Sequence, residues 1–177
     1  MRKLFINVTL ILIGFLCFYL QSNFFSWFTI NGIRPNLFVI YILFIGLFGN
    51  KNMSIIYGSI CGIILDLLFK QKIGANLVGL VMIGFIGTMF NKNFSKDSKI
   101  TIIFMIFCAT IIFETISYFL NYVMYSINVE IASFIKILII ETIYNVILSI
   151  ILYPISQKFG YYIENEYKED KILTRYF

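Results

Sequence analysis

Asp66, Glu114 and Glu141 each stand inside a long apolar run, and any chemistry this chain performs would have to be built from them. Two carboxyl groups such as Glu114 and Glu141 can share a proton as an aspartyl dyad does, but the aspartate motifs of intramembrane proteases are absent. The 177 residues include no histidine, which removes Ser-His and Cys-His nucleophile pairs, histidine-ligated metals and haem. Cys17, Cys61 and Cys108 lie singly in three separate apolar runs without CxxC spacing, so neither a zinc site nor a disulfide framework is indicated. The residues therefore predict no catalytic centre, no metal and no cofactor.

The elements that carry these acids must be membrane helices. Hydrophobic residues make up 60% of the chain and charged residues 13%, a balance that no soluble domain of this size could cover with polar surface. Apolar runs long enough to cross a bilayer follow one another with brief polar breaks. The pattern predicts six transmembrane helices, at Leu4 to Leu20, Asn36 to Phe48, Met53 to Phe69, Ala75 to Phe90, Ile100 to Tyr125 and Ala132 to Tyr153. The first resembles a signal peptide, but Gln21-Ser22-Asn23 is a poor cleavage site and the helix is read as retained. The net charge of +5 is scattered through loops and tail rather than gathered on one face, which argues against nucleic acid as a partner.

The second helix is short. Thirteen residues rise only about 20 Å against a hydrocarbon core of about 30 Å, so it must extend through its flanks or lie beneath protein. Charge decides whether it crosses. With six crossings and a cytoplasmic N-terminus, ten of the 14 cations fall inside (Arg2, Lys3, Lys51, Lys92, Lys96, Lys99, Lys158, Lys168, Lys171 and Arg175), leaving Arg34, Lys70, Lys72 and Lys136 outside. If the second segment failed to cross, the bias would invert. Both termini are therefore predicted cytoplasmic, with residues 1–155 forming the transmembrane domain and 156–177 a mixed-charge tail that reads as a solvated helical end. Phe24 to Ile30, with Trp27, suits the outer interface, and Arg34-Pro35-Asn36 opens the second helix, where proline is tolerated.

A charge within hydrocarbon costs at least about 2.5 to 3.5 kcal/mol, so the three acids should face protein, a cation or water. Counted from the cytoplasmic helix ends they lie at about 20, 21 and 18 Å, a common acidic layer in the outer half of the bilayer. About one turn above it stand Lys70, Lys136 and Arg34, and Asp66 and Lys70 are an i, i+4 pair. Two readings stay open: ion pairs and hydrogen bonds that hold the bundle, or a polar pocket open to the outer face. Three helix faces point inward: Ser54, Gly58, Gly62 and Asp66 on the third helix; Thr110, Glu114, Ser117 and Asn121 on the fifth; and Glu141, Asn145 and Ser149 on the sixth. All three stripes are expected to meet.

Three stretches resemble the MreD family of rod shape-determining proteins. Arg34-Pro35-Asn36-Leu37 is similar to its Pro-Asp-Leu, with Asn36 in place of the acid. Tyr57 to Leu68, continuing to Ile73-Gly74-Ala75-Asn76, is similar to its Gly-Leu-x-Leu-Asp-Leu and turn glycine. Glu141-Thr142-Ile143-Tyr144-Asn145, leading to Leu152-Tyr153-Pro154, is similar to its last helix with an asparagine and a closing proline. The resemblance spans nearly the whole chain. It implies an all-α fold like that of the substrate-binding subunits of energy-coupling-factor importers, in the bacterial inner membrane. It also implies a non-enzymatic scaffold that binds MreC and, indirectly, the MreB filament, a SEDS glycosyltransferase and a class B penicillin-binding transpeptidase. A second reading, from another class, is a small-molecule-binding importer subunit that holds a polar ligand with the acidic layer and Asn121 or Asn145, with only Ser126 to Ile131 available as a lid.

The charge bias gives a direct test. In intact cells, a membrane-impermeant reagent should leave the segment from Asn91 to Lys99 unlabelled; labelling from outside would invert the topology.

Overall fold

The computed structural model describes residues 2–69, 73–93, 98–125 and 130–173. Among these residues the fold is helical throughout: α1 (Arg2–Trp27), α2 (Leu37–Phe48), α3 (Lys51–Phe69), α4 (Ala75–Asn93), α5 (Lys99–Tyr125) and α6 (Ile131–Leu173). In α1 the regular helix ends at Tyr19 and passes through one wide turn, Leu20–Phe24, into a last turn, Phe25–Trp27. Ile30 and Ile33 then exchange backbone hydrogen bonds of 3.0 Å across Asn31-Gly32. Both central residues have positive φ, 52° and 78°, the geometry that Asn-Gly favours in a tight hairpin turn.

Helices α1, α3, α5 and α6 are long and apolar enough to cross a membrane, whereas α2 and α4 are shorter apolar helices. The outer surface carries the same message. Leu4, Phe15 and Ile155 are 70%, 68% and 70% exposed, among many large apolar side chains turned outward along α1 and α6. Water would not tolerate that much continuous apolar surface, and lipid would. The chain is an all-α membrane protein.

Every residue of α2 from Leu37 to Phe48 is buried. Five helices, α1, α3, α4, α5 and α6, pack against it, with a narrow crevice left between α1 and α6. Twelve residues rise about 18 Å, so the shortfall against the bilayer is absorbed by neighbouring helices, and no face of α2 requires lipid. Glycine permits this density. Gly46 of α2 meets Gly84 and Gly87 of α4, and a Cβ on Gly46 would lie 2.8 Å from the Gly84 carbonyl oxygen. Between α3 and α4, Gly58 rests on Leu80 and Gly62 on Leu77, while the Ser54 hydroxyl donates to the Gly84 carbonyl at 3.1 Å. This is the close backbone approach that small residues allow in membranes.

Two expectations need correcting. The three inward stripes do not meet at one place: Ser54, Gly58 and Gly62 are used on α4, while the stripes of α5 and α6 face each other. Small residues show that a face packs closely but carry no label for the partner helix. Pro154, expected to close the last helix, lies inside α6, which runs on to Leu173. Proline removes one donor, the bond to the Ile150 carbonyl, but its fixed φ is helical, and packing beyond it holds the helix together. Gly160 lies against the Phe48 ring, Tyr161 meets the same ring edge-on at 5.3 Å, and Arg2 pairs with Glu166 at 3.6 Å. The stretch after Pro154 is thus only partly solvated, with Ile163 and Glu164 buried.

A methyl group on Gly62 would lie 2.5 Å from the Leu77 Cα, and backbone cannot yield. Gly62→Ala should lower the melting temperature in mild detergent, by a destabilisation of about 1 to 3 kcal/mol. Ile60→Ala, at a half-exposed outward position, should barely change it; equal effects would mean that the α3–α4 contact is wrong.

Candidate functional site

The first turn of any helix has backbone donors without partners inside the helix. In α2 those donors are buried, and three side chains answer them. The Asn36 backbone N–H donates to Asn145 Oδ1 at 2.8 Å, the Leu37 N–H to Gln21 Oε1 at 3.0 Å, and the Val39 N–H to Asn36 Oδ1 at 3.4 Å. Pro35, which has no N–H, is buried just before this turn. Asn145 is fully buried and spends its amide nitrogen on Thr110 Oγ1 at 3.1 Å. One asparagine of α6 therefore ties α5 to the start of α2.

Four residues along each antiparallel helix from the Thr110–Asn145 rung comes a second rung, Glu114 facing Glu141. Glu141 is buried, in reach of the Glu114 carboxyl and the Asn36 side chain, with the Arg34 charge near enough to act on it. Its Oε1 has no hydrogen-bond partner. The Arg34 guanidinium lies 6.0 Å from the centre of the Phe69 ring, linking the α2 entrance to the end of α3.

Asp66 sits elsewhere, fully buried near the end of α3. Its Oδ2 accepts the Gly74 N–H at 2.8 Å and the Leu77 N–H at 3.1 Å, and its Oδ1 accepts the Asn76 N–H at 3.1 Å. A carboxylate on three donors at a helix start gains both the hydrogen bonds and the positive end of the helix dipole. Gly74 has φ of 149°, a conformation that side chains disfavour, and this lets its N–H turn toward Asp66. The expected Asp66–Lys70 pair falls outside the described residues, because Lys70 does, as do Lys72 and Ser126 to Val129 of the short lid.

The other predicted residues are divided. Ser149 is buried and donates to the Val146 carbonyl of its own helix at 2.7 Å. Ser117 is buried, Asn121 half-buried, and Lys136 exposed. Sequence reasoning missed Gln21, although a lone amide closing an apolar run is a usable signal. It also missed three tyrosines that hold α1 and its extension: Tyr41 donates to the Leu10 carbonyl at 2.7 Å, Tyr57 to the Asn7 carbonyl at 3.3 Å, and Tyr144 to the Phe28 carbonyl at 2.6 Å. Among the described residues, no group of three His, Cys, Asp or Glu side chains is placed to hold a metal.

This polar interior is made of helix caps and interhelical ties, and its residues coincide with all three stretches that resemble a known family. A sequence model described as rod shape-determining protein MreD matches residues 1–163. The chain belongs to the MreD family. Comparison with curated proteins and with solved structures gives no match. Membership makes rod shape determination the role of this MreD-family chain, and the structure gives its motifs a physical meaning. Arg34-Pro35-Asn36-Leu37 is the capped entrance of the buried helix α2, Asn145 of α6 is the clamp between that entrance and α5, and Asp66 and Gly74 form the separate cap of α4.

Asp66→Ala would strand three donors at a buried helix start. It should destabilise the protein in detergent by at least about 2 kcal/mol, and Asn145→Leu should do the same at α2. An unchanged melting temperature for Asp66→Ala would contradict the cap.

Proposed function

We propose that this chain is a non-enzymatic scaffold of the bacterial rod (elongation) complex in the inner membrane, binding MreC and through it the MreB filament, the SEDS glycosyltransferase and the class B penicillin-binding transpeptidase. The observation that carries the reading is the family match across residues 1–163, which includes all of α1 to α5 and most of α6. Helix count and orientation belong to the same proposal: six crossings, both termini cytoplasmic, ten cations inside against four outside. The complete burial of α2 supports it, since a helix wrapped in protein can cross with only twelve residues.

The disposition of polar groups agrees with a scaffold. Asp66, Asn145, Gln21 and Asn36 are spent on backbone donors, so the interior offers rigidity. An importer subunit needs polar groups turned toward a ligand, whereas the hollow of about 280 Å³ between α1, α2 and α6 is walled mainly by Leu, Ile and Phe.

Purified from membranes in mild detergent, the chain should bring MreC with it in near-stoichiometric amount. Failure to recover MreC, together with a polar small molecule retained and identified by mass spectrometry, would overturn the scaffold in favour of the importer reading.

A further inference from the structure

Helix α1 is held loosely. Of its regular portion only Ile6 and Leu10 are buried, and between α1 and α6 a crevice runs down to the surface of α2. Its inner part encloses about 280 Å³ among Ile13 and Cys17 of α1, Tyr41 and Phe44 of α2, and Ser156 and Phe159 of α6. An outer lobe of about 540 Å³ shares Ile155 and Phe159 with it and opens past Phe5 and Pro154 to Lys158. The walls are largely apolar, and among the described residues the one charged side chain lining either part is Lys158, at one end and exposed.

We propose that this crevice binds an anionic phospholipid, with one acyl chain lying along α2 between α1 and α6 and the phosphate held by Lys158. The inference goes beyond the scaffold reading and does not depend on MreC. The crevice floor follows α2 from Leu37 to Phe48, about 18 Å at helical rise, close to the roughly 15 Å of hydrocarbon in one leaflet. The inner crevice, about 280 Å³ between apolar side chains of α1, α2 and α6, has the lining and the run along α2 that suit a hydrocarbon chain. Left empty, its walls would forgo dispersion contacts that a chain restores.

Charge selects the headgroup. Arg2 and Lys3 begin α1 at the same end as Lys158, and the nearby Glu166 is taken up by Arg2 at 3.6 Å. An ammonium at the mouth of an apolar slot fits a phosphate at headgroup level, and one such cation is expected to change affinity for an anionic lipid about fivefold.

The test uses the full chain in mild detergent, titrated with phosphatidylglycerol or phosphatidylcholine and read by native mass spectrometry and thermal melting. Phosphatidylglycerol should be retained and raise the melting temperature, with phosphatidylcholine weaker. Lys158→Gln, at an exposed position, should weaken phosphatidylglycerol binding about fivefold and leave the lipid-free melting temperature unchanged. Ser156→Trp, which fills the slot, should reduce binding of both lipids. Equal binding of the two lipids, or an unchanged affinity in Lys158→Gln, would overturn the proposal. So would photocrosslinking from Ile155 in native membranes that captures a protein and no lipid.

Discussion

The backbone donors that open a buried helix must find acceptors, because no water reaches them in the middle of a membrane protein. Helix α2 makes this demand acute, every residue from Leu37 to Phe48 being buried. Its donors at Asn36, Leu37 and Val39 draw in side chains from α6, from α1 and from its own first residue. Asn145 must reach Thr110 in the same stroke, so satisfying one helix start also fixes how α5 and α6 stand against each other. Asp66 meets the same demand for α4 from the end of α3. Asp66, Asn145 and Gln21 are thus caps supplied by a neighbouring helix.

Van der Waals contact does the rest, because lipid tails are as apolar as the helix surfaces and do not drive those surfaces together. Where glycines meet, as with Gly46 on Gly84 and Gly87, backbone touches backbone and contact density is highest. Where side chains are large, as on α1, the packing is open. The difference divides the molecule into a dense unit of α2 to α6 and a looser first helix, fastened by tyrosine hydroxyls to carbonyl oxygens.

Much of this was legible in the sequence. Periodicity identified the small faces of α3, and the stripes of α5 and α6, because a four-residue repeat of small or polar residues fixes a helix face whatever its partner. The length of the second apolar run announced a helix that lipid could not cover. Partner choice was hidden: Gly58 and Gly62 state that something approaches closely, and only the fold says that it is Leu80 and Leu77. The role of Asp66 was hidden for another reason. Its partners are backbone N–H groups at Gly74, Asn76 and Leu77, and backbone has no letter in a sequence, so attention went to Lys70 instead. Pro154 misled because the contacts that carry α6 past it, above all Gly160 on Phe48, join positions more than a hundred residues apart.

Asp66, Asn145, Gln21 and Asn36 are committed to backbone donors inside the bundle, while large apolar side chains line the outer faces of α1 and α6. Lipid tails are as apolar as that outer face, so contact with another membrane helix there would rest on shape and close packing. The dense unit is closely packed backbone on backbone, whereas α1 buries only Ile6 and Leu10 of its regular portion. In this member of a family of shape-determining proteins, the glycine contacts of α2, α3 and α4 make the tightly packed part of the bundle and α1 its more exposed margin.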